Sequence, residues 1–276
     1  MLASSVAVGA TGPSWTSLSA DRPVAWHTER CVDDWVVERL LELSNATLPT
    51  HPRTYTGAAR IHSVVAQGDP AARAVRRVLT QRAGLPLRNA EPLFVLEYVE
   101  GHRCGLGQAM PHFDWNCVEG STSAHDDGAE ACPQLRLVTS LLYLNDVPDE
   151  WGGGTRLPRA GLRASAQRGA CLLWFNARRD RRGRLVKDDK AQHQGECVRA
   201  PTGVPATPAS SPLRRKFVLV QWIRASELED LNEGLCEEDP GSCIVYRALK
   251  EALANEEGEG AGEDEGRGRG RAVDEL

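Results

Sequence analysis

The chain lacks the features that mark several large classes of protein. No stretch of its 276 residues approaches eighteen consecutive apolar positions, so no segment reads as a membrane-spanning helix. It has no basic excess: Lys and Arg number 33 against 38 Asp and Glu, the formal net charge is −5 and the pI is near 5.9. A broad nucleic-acid-binding face needs the opposite balance, so no nucleic-acid partner is expected. None of the eight cysteines (Cys31, Cys104, Cys117, Cys132, Cys171, Cys197, Cys236, Cys243) sits in a C-x-x-C pair, which argues against a zinc ribbon. The opening "MLASSVAVGATGPSWTSLSA" has no basic segment ahead of an apolar one and makes a poor secretory signal.

Apolar residues make up 41% of the chain, and its length suits one domain with extensions or two small ones. Residues 1–25 lack periodicity and read as a flexible N-terminal arm. Over 26–90 a helical and strand-bearing support region is expected. In "CVDDWVVERLLEL", Trp35, Val36, Leu40 and Leu41 fall at helical spacing, with Asp33 and Asp34 where the helix dipole favours acids. A second helix should start at Pro70 and end at Gly84.

From about residue 91 the texture changes. "PLFVLEYVE", "RLVTSLLYLND", "ACLLWFN" and "KFVLVQWIR" are short runs rich in Val, Leu and aromatics, separated by turn-forming segments. Strands without intervening helical patterns suggest a barrel or sandwich core over 91–226, giving a mainly β fold with flanking helices (α+β). "IVYRALKEALANEE" reads as a helix within a C-terminal region over 227–255. The low-complexity tail, 256–276, reads as disordered and solvated despite its short Arg-Gly run. Cys117 with Cys132, or Cys236 with Cys243, could close a loop as a disulfide; free thiols are the equal alternative.

"MPHFDWN" carries the first chemical signal. In an extended segment residues two apart share a face, so His112 and Asp114 project together and Phe113 projects away. An ionised carboxylate is costly to bury unless it is paired or bound to a metal. One imidazole and one carboxylate are two-thirds of the facial triad that holds non-haem Fe(II), although a lone H-x-D is more often a plain hydrogen-bonded pair. The second histidine has two candidates. His193, in "KAQHQGECVR", lies between strong strand segments and would meet His112 in a rolled sheet; His102, in a Gly-rich turn, is the rival. In "KFVLVQWIR", Lys216 shares strand parity with Val218, Val220 and Trp222, so it is either buried and in need of an anion or just outside the strand with Arg214 and Arg215. Leu137, Thr139, Leu141 and Tyr143 share a face of another strand, where an inward Tyr143 needs a polar partner. Trp115 and Trp174 read as core residues or as walls of a groove.

Taken in order, "LEYVEG", "PHFD", "LLYLNDVPDEWGGGTRLP", "RGACLLWFN", "HQGECV" and "KFVLVQWI" resemble the prolyl 4-hydroxylase group of Fe(II)- and 2-oxoglutarate-dependent dioxygenases, over roughly residues 50–225. The resemblance implies a double-stranded β-helix (jelly-roll) core and iron held by His112, Asp114 and His193. It further implies Lys216 and Tyr143 on the far carboxylate of 2-oxoglutarate, with Thr155 of "GGGT" near it. O2 would be the co-substrate and L-ascorbate a supporting reductant, and the substrate a peptide or protein, by family habit at proline. Two departures are the extra residues of "VEGHRCGLGQAMPHFD" and the "APTGVPATPASSP" insertion ahead of Lys216. The rival readings are a dioxygenase of another substrate class, a catalytically inactive jelly-roll binding module, and a cupin-like zinc hydrolase. The lack of a signal peptide favours the cytoplasm, whereas family habit and the terminal "VDEL" point to the ER lumen.

Overall fold

The computed structural model describes residues 13–46, 55–56, 59–65, 68–100, 110–114, 136–183, 185–199 and 215–225. Its elements in chain order are β1 (Thr16–Ser19), β2 (Ala25–Thr28), α1 (Asp34–Ala46), β3 (Tyr55–Thr56), β4 (Ala59–Val64), α2 (Pro70–Ala83), β5 (Phe94–Val99), β6 (Arg136–Tyr143), β7 (Thr155–Leu157), β8 (Leu162–Ala164), β9 (Cys171–Phe175), β10 (Ala177–Arg179), β11 (Leu185–Lys187), β12 (Gln194–Gly195) and β13 (Arg215–Arg224). Eight strands form one antiparallel sheet in the order β1-β2-β9-β6-β13-β5-β4-β3. A three-stranded sheet, β12-β7-β8, and the hairpin β10-β11 complete the strands. Among the described residues the protein is mainly β with two flanking helices, built around a jelly-roll core.

Strand periodicity sorts the large sheet into two faces. Val95, Leu142 and Leu219 point to the helices, where they meet Val36, Val37, Leu40, Val75 and Leu79. Leu96, Tyr98, Leu141, Tyr143, Trp174, Val218 and Val220 point the other way, to Leu157 and Ala164 of the smaller sheet. Both faces of the central strands are therefore covered, and all of β6 except Arg136 is buried. The opening between the two sheets is where ligand-binding side chains can converge.

α2 begins and ends as its sequence requires. The Asp69 carboxylate accepts from Ala71 N at 2.9 Å, Pro70 opens the first turn, and Gly84 closes the helix in the left-handed region at φ 68°. In α1 the buried stripe differs from the expectation. Val36, Val37, Leu40 and Ser44 face the sheet, while Trp35 is 50% exposed, because it lies about 100° around the helix from Val36. No helix among the described residues is long and apolar enough to cross a membrane.

Three expectations need revision or lie beyond view. The arm over 1–25 is not loose throughout: β1 pairs with β2, which pairs with β9, so this segment closes one edge of the main sheet. Free thiols are contradicted at Cys31 and Cys171, which form a disulfide with Cα atoms 5.5 Å apart, and at Cys197, which is also disulfide-bonded. The pairs Cys117–Cys132 and Cys236–Cys243, the helix at "IVYRALKEALANEE", the tail, residues 101–109 of the first family departure and the 200–212 insertion lie outside the described residues.

Candidate functional site

His112 and His193 face each other through a two-way backbone bridge: each amide donates to the other's carbonyl at 2.9 Å. This bridge places their rings 4.3 Å apart. His193 Nε2 lies 3.2 Å from Asp114 Oδ2, and His112 Nε2 lies 3.7 Å from Asp114 Oδ1. Among the described residues these three form the one group of His, Cys, Asp and Glu side chains able to share a metal ion. The rival histidine, His102, lies outside the described residues, as does Trp115.

Local hydrogen bonds set the ring tautomers. His112 Nδ1 is 2.9 Å from the Met110 carbonyl, and His193 Nδ1 is 3.1 Å from the Ala191 carbonyl. A carbonyl only accepts, so each Nδ1 carries a proton and each Nε2 is the ring nitrogen turned toward Asp114. Burial and the nearby His193 hold the His112 pKa below its ordinary value, against the opposing pull of Asp114, which keeps the ring neutral as a ligand must be.

Asp114 is oriented by a chain of hydrogen bonds whose direction is determined at both ends. The indole N–H of Trp174 can only donate, and it donates to Asn176 Oδ1 at 3.0 Å. Asn176 Nδ2 therefore donates to Thr139 Oγ1 at 2.8 Å, and the single Thr139 hydroxyl proton goes to Asp114 Oδ2 at 2.8 Å. A second obligate donor, Trp222 Nε1, reaches the same oxygen at 2.8 Å. Strand register makes this possible, since Thr139 sits directly opposite Trp222 on β13 and Trp174 on β9. Oδ2 is thereby committed to the protein, and Oδ1 is left for a ligand. Burial opposes ionisation of Asp114, but His193, Arg136 and His112 outweigh it and hold the carboxyl well below the usual carboxylate range.

Trp222 is itself clamped. The Arg136 guanidinium lies 3.8 Å over its ring and forms two hydrogen bonds, 2.8 and 2.9 Å, to the buried Glu91, which also pairs with Arg224. His193 is backed by the Trp174 ring at 4.6 Å, so Trp174 is a wall of the site rather than a member of a remote core.

Lys216 occupies the inner end of the same pocket. It is 1% exposed, on the face that also carries Val218, Val220 and Trp222. Its Nζ donates to the Gly154 carbonyl at 3.2 Å and lies 4.3 Å over the ring of Tyr98, its cross-strand partner. Burial lowers its pKa to about 7, with Glu196 pulling weakly the other way. Glu196 is already engaged by Arg156, Arg163 and Gly154 N, so it is not a dedicated counter-ion. A buried amine with one carbonyl partner is a site that an anion completes. The Tyr143 hydroxyl is fully buried nearby. It faces Thr155 but makes no well-formed hydrogen bond, and burial raises its pKa. Thr155 lines the pocket, which holds about 380 Å³ of space including its mouth.

Several features carry no signal in the sequence, the Thr139, Asn176 and Trp222 contacts that orient Asp114 among them. Tyr98, in "LEYVEG", lines the pocket between Lys216 and Gly195. Gly195 is required by that approach: a Cβ there would sit 2.7 Å from the Tyr98 hydroxyl oxygen. Gly153, in "GGGT", is required twice over, by φ 72° and by a Cβ position 2.9 Å from Val147. Arg215 is not simply solvated either: its guanidinium donates to the fully buried Glu97 at 2.9 Å.

No protein-family model matches the chain, and no curated protein sequence matches it. Among solved structures it is similar to the viral collagen prolyl hydroxylase of Paramecium Bursaria Chlorella virus-1, at 17% identity and a TM-score of 0.49, over 70% of this chain and 92% of that one. It is also similar to a Pseudomonas putida prolyl-4-hydroxylase (14% identity, TM-score 0.42, 72% and 91% covered). A third is a non-heme alpha ketoglutarate dependent carbocyclase of nogalamycin biosynthesis (14%, TM-score 0.45, 77% and 85%).

Proposed function

We infer that this protein is an Fe(II)- and 2-oxoglutarate-dependent dioxygenase that hydroxylates a peptidyl residue, proline first among the candidates. One observation carries the reading: a His-Asp-His donor set with an ionised carboxylate and a buried, anion-seeking lysine share a single pocket. The donor set fits Fe(II), because two imidazoles and one carboxylate oxygen suit that ion and leave positions open. A zinc hydrolase needs only the first half of this arrangement, and a binding module needs neither. When bound, Fe(II) with 2-oxoglutarate and O2 would supply oxidative decarboxylation of the keto acid to succinate and CO2, with the other oxygen atom inserted into a C–H bond.

The chain's own residues supply binding and order. His112 Nε2, His193 Nε2 and Asp114 Oδ1 would hold the metal. Thr139 and Trp222 keep Asp114 to one free oxygen. Lys216 would take the distal carboxylate of 2-oxoglutarate, with Tyr143 donating its unsatisfied hydroxyl proton and Thr155 beside it. Leu96, Leu141, Val218 and Val220 line the pocket between and exclude water. Ascorbate is assigned as the reductant that restores oxidised iron; no residue here is assigned to hold it. Peptide and proline rest on the sequence resemblance. The Cys31–Cys171 disulfide favours an oxidising compartment over the cytoplasm, in line with "VDEL". A glycan on Asn45 of "NAT" in protein from its native cell would test that assignment.

The functional test is succinate release from purified protein with Fe(II), 2-oxoglutarate and ascorbate, with and without proline-rich peptides. Turnover in the wild type and none in His112→Ala, Asp114→Ala or His193→Ala is expected. Full activity of His193→Ala would show that the ligand set is wrong.

A further inference from the structure

Phe113 lies between two of the proposed ligands but does not line the pocket. Its ring is instead approached by two cations, Lys187 Nζ at 4.6 Å and the Arg159 guanidinium at 5.8 Å. Both side chains are exposed, and among the described residues neither has a carboxylate partner. Lys187 ends β11, and β10-β11 is the segment that joins the pocket wall to the second histidine: it starts just after Asn176 and ends ahead of His193. This stretch is strongly basic. From Ala177 to Lys190 it carries seven basic side chains and three acidic ones, in a chain whose net charge is −5. Two of those three acids, Asp188 and Asp189, are drawn off by Arg22 at 2.9 and 2.7 Å. The surface flanking the His112–Asp114 segment is therefore a positive rim, on which Lys187 and Arg159 are held beside the Phe113 ring.

Resting on the dioxygenase reading above, we propose that this rim selects the substrate: Lys187 and Arg159, with Arg181 and Arg182 of the β10-β11 turn, receive carboxylate side chains that flank the target residue of an acidic peptide. Lys187 and Arg159 stand next to the His112–Asp114 segment, so Asp or Glu within a few residues of the target reaches them while the target enters the pocket. Arg181 and Arg182, exposed at the hairpin turn, extend the same field along the peptide. Contacts of this kind set partner choice and encounter rate and are screened by salt.

The test compares fluorescein-labelled (Pro-Glu-Gly)5 and (Pro-Gln-Gly)5 by fluorescence anisotropy on the full chain at 50 and 500 mM NaCl. At 50 mM the acidic peptide should bind about tenfold more tightly, from two or more exposed pairs acting together. That advantage should fall about threefold or more at 500 mM. Arg159→Glu with Lys187→Glu should abolish it; Arg159→Gln with Lys187→Gln, a milder pair, should reduce it. The melting temperature of both variants should match the wild type, since the positions are exposed. Equal binding of the two peptides, or an advantage that survives both double variants, overturns the proposal. So does equal or tighter binding of single-stranded dT15 with the same variant dependence, which would make the rim a general polyanion surface. Succinate release is measured separately: a protein that binds the acidic peptide as described but consumes no 2-oxoglutarate refutes the dioxygenase reading and leaves the rim standing.

Discussion

Lys216→Met separates the function of this residue from its cost to the fold. The ammonium titrates near 10.5 when unfolded and near 7 in its buried position. Between those values the unfolded chain binds more protons than the folded one, so stability rises with pH through that window. Below pH 7 the whole burial cost is present, about 5 kcal/mol at roughly 1.4 kcal/mol per unit. Methionine has similar length and no charge, so the variant escapes that cost. It loses the donor to the Gly154 carbonyl, a penalty of about 1–3 kcal/mol. Without ligands, Lys216→Met should therefore be more stable than wild type by about 2 kcal/mol or more at pH 6, and the gain should vanish before pH 10.5, where only the lost donor remains and the variant is the less stable. With 2-oxoglutarate the order should reverse. Removing one partner of a desolvated pair costs on the order of 2–5 kcal/mol, so its apparent 2-oxoglutarate affinity should drop roughly 30-fold or more. Urea denaturation at pH 6, 8 and 10, with and without Mn(II) and 2-oxoglutarate, reads both effects. A Met variant that is destabilised equally at pH 6 and pH 10 would show that Lys216 is not a buried cation. One that 2-oxoglutarate still stabilises like the wild type would show that Lys216 is not its anchor.

Thr139→Val removes the hydroxyl from Asp114 while keeping shape; anaerobic Fe(II) affinity should fall about 10–100-fold, with recovery in Thr139→Ser, and an unchanged affinity would contradict the orienting role. Arg215→Ala should destabilise the fold by roughly 2–3 kcal/mol because Glu97 is left buried without that partner, less than a fully enclosed pair because Arg215 is part-exposed; a melting temperature equal to wild type would refute this. Gly195→Ala should impair 2-oxoglutarate binding by displacing Tyr98, measured by the ligand-induced shift in melting temperature. Reducing the Cys31–Cys171 bond, or replacing both with Ser, should lower stability by up to about 5 kcal/mol, since it closes a loop spanning 140 residues; an unchanged denaturation midpoint would count against it.

The parts of the site legible without the fold follow from short-range rules. The period of two put His112 with Asp114, and Lys216 with Val218, Val220 and Trp222, before any pairing was known, because alternation along a strand is a property of the local backbone. α2 was legible from Pro70 to Gly84, since caps and turns are made by neighbours in the chain. The choice of His193 was legible only as one of two histidines and through the family resemblance; its meeting with His112 required the sheets to roll. The two histidine rings are held by carbonyls two residues away, but what orients Asp114 came from long-range register. Asn176, Thr139 and Trp222 carry no pattern that links them to Asp114, and they meet it only because β9, β6 and β13 lie side by side. Tyr98 gained its place from pairing with Lys216, Arg215 found Glu97 across the same strand pair, and Cys31 found Cys171 across 140 residues. The reason is the same in each case. Alternation, capping and turn chemistry depend on atoms a few bonds apart, whereas the partner of a buried polar group is whichever residue the packed sheet brings opposite it.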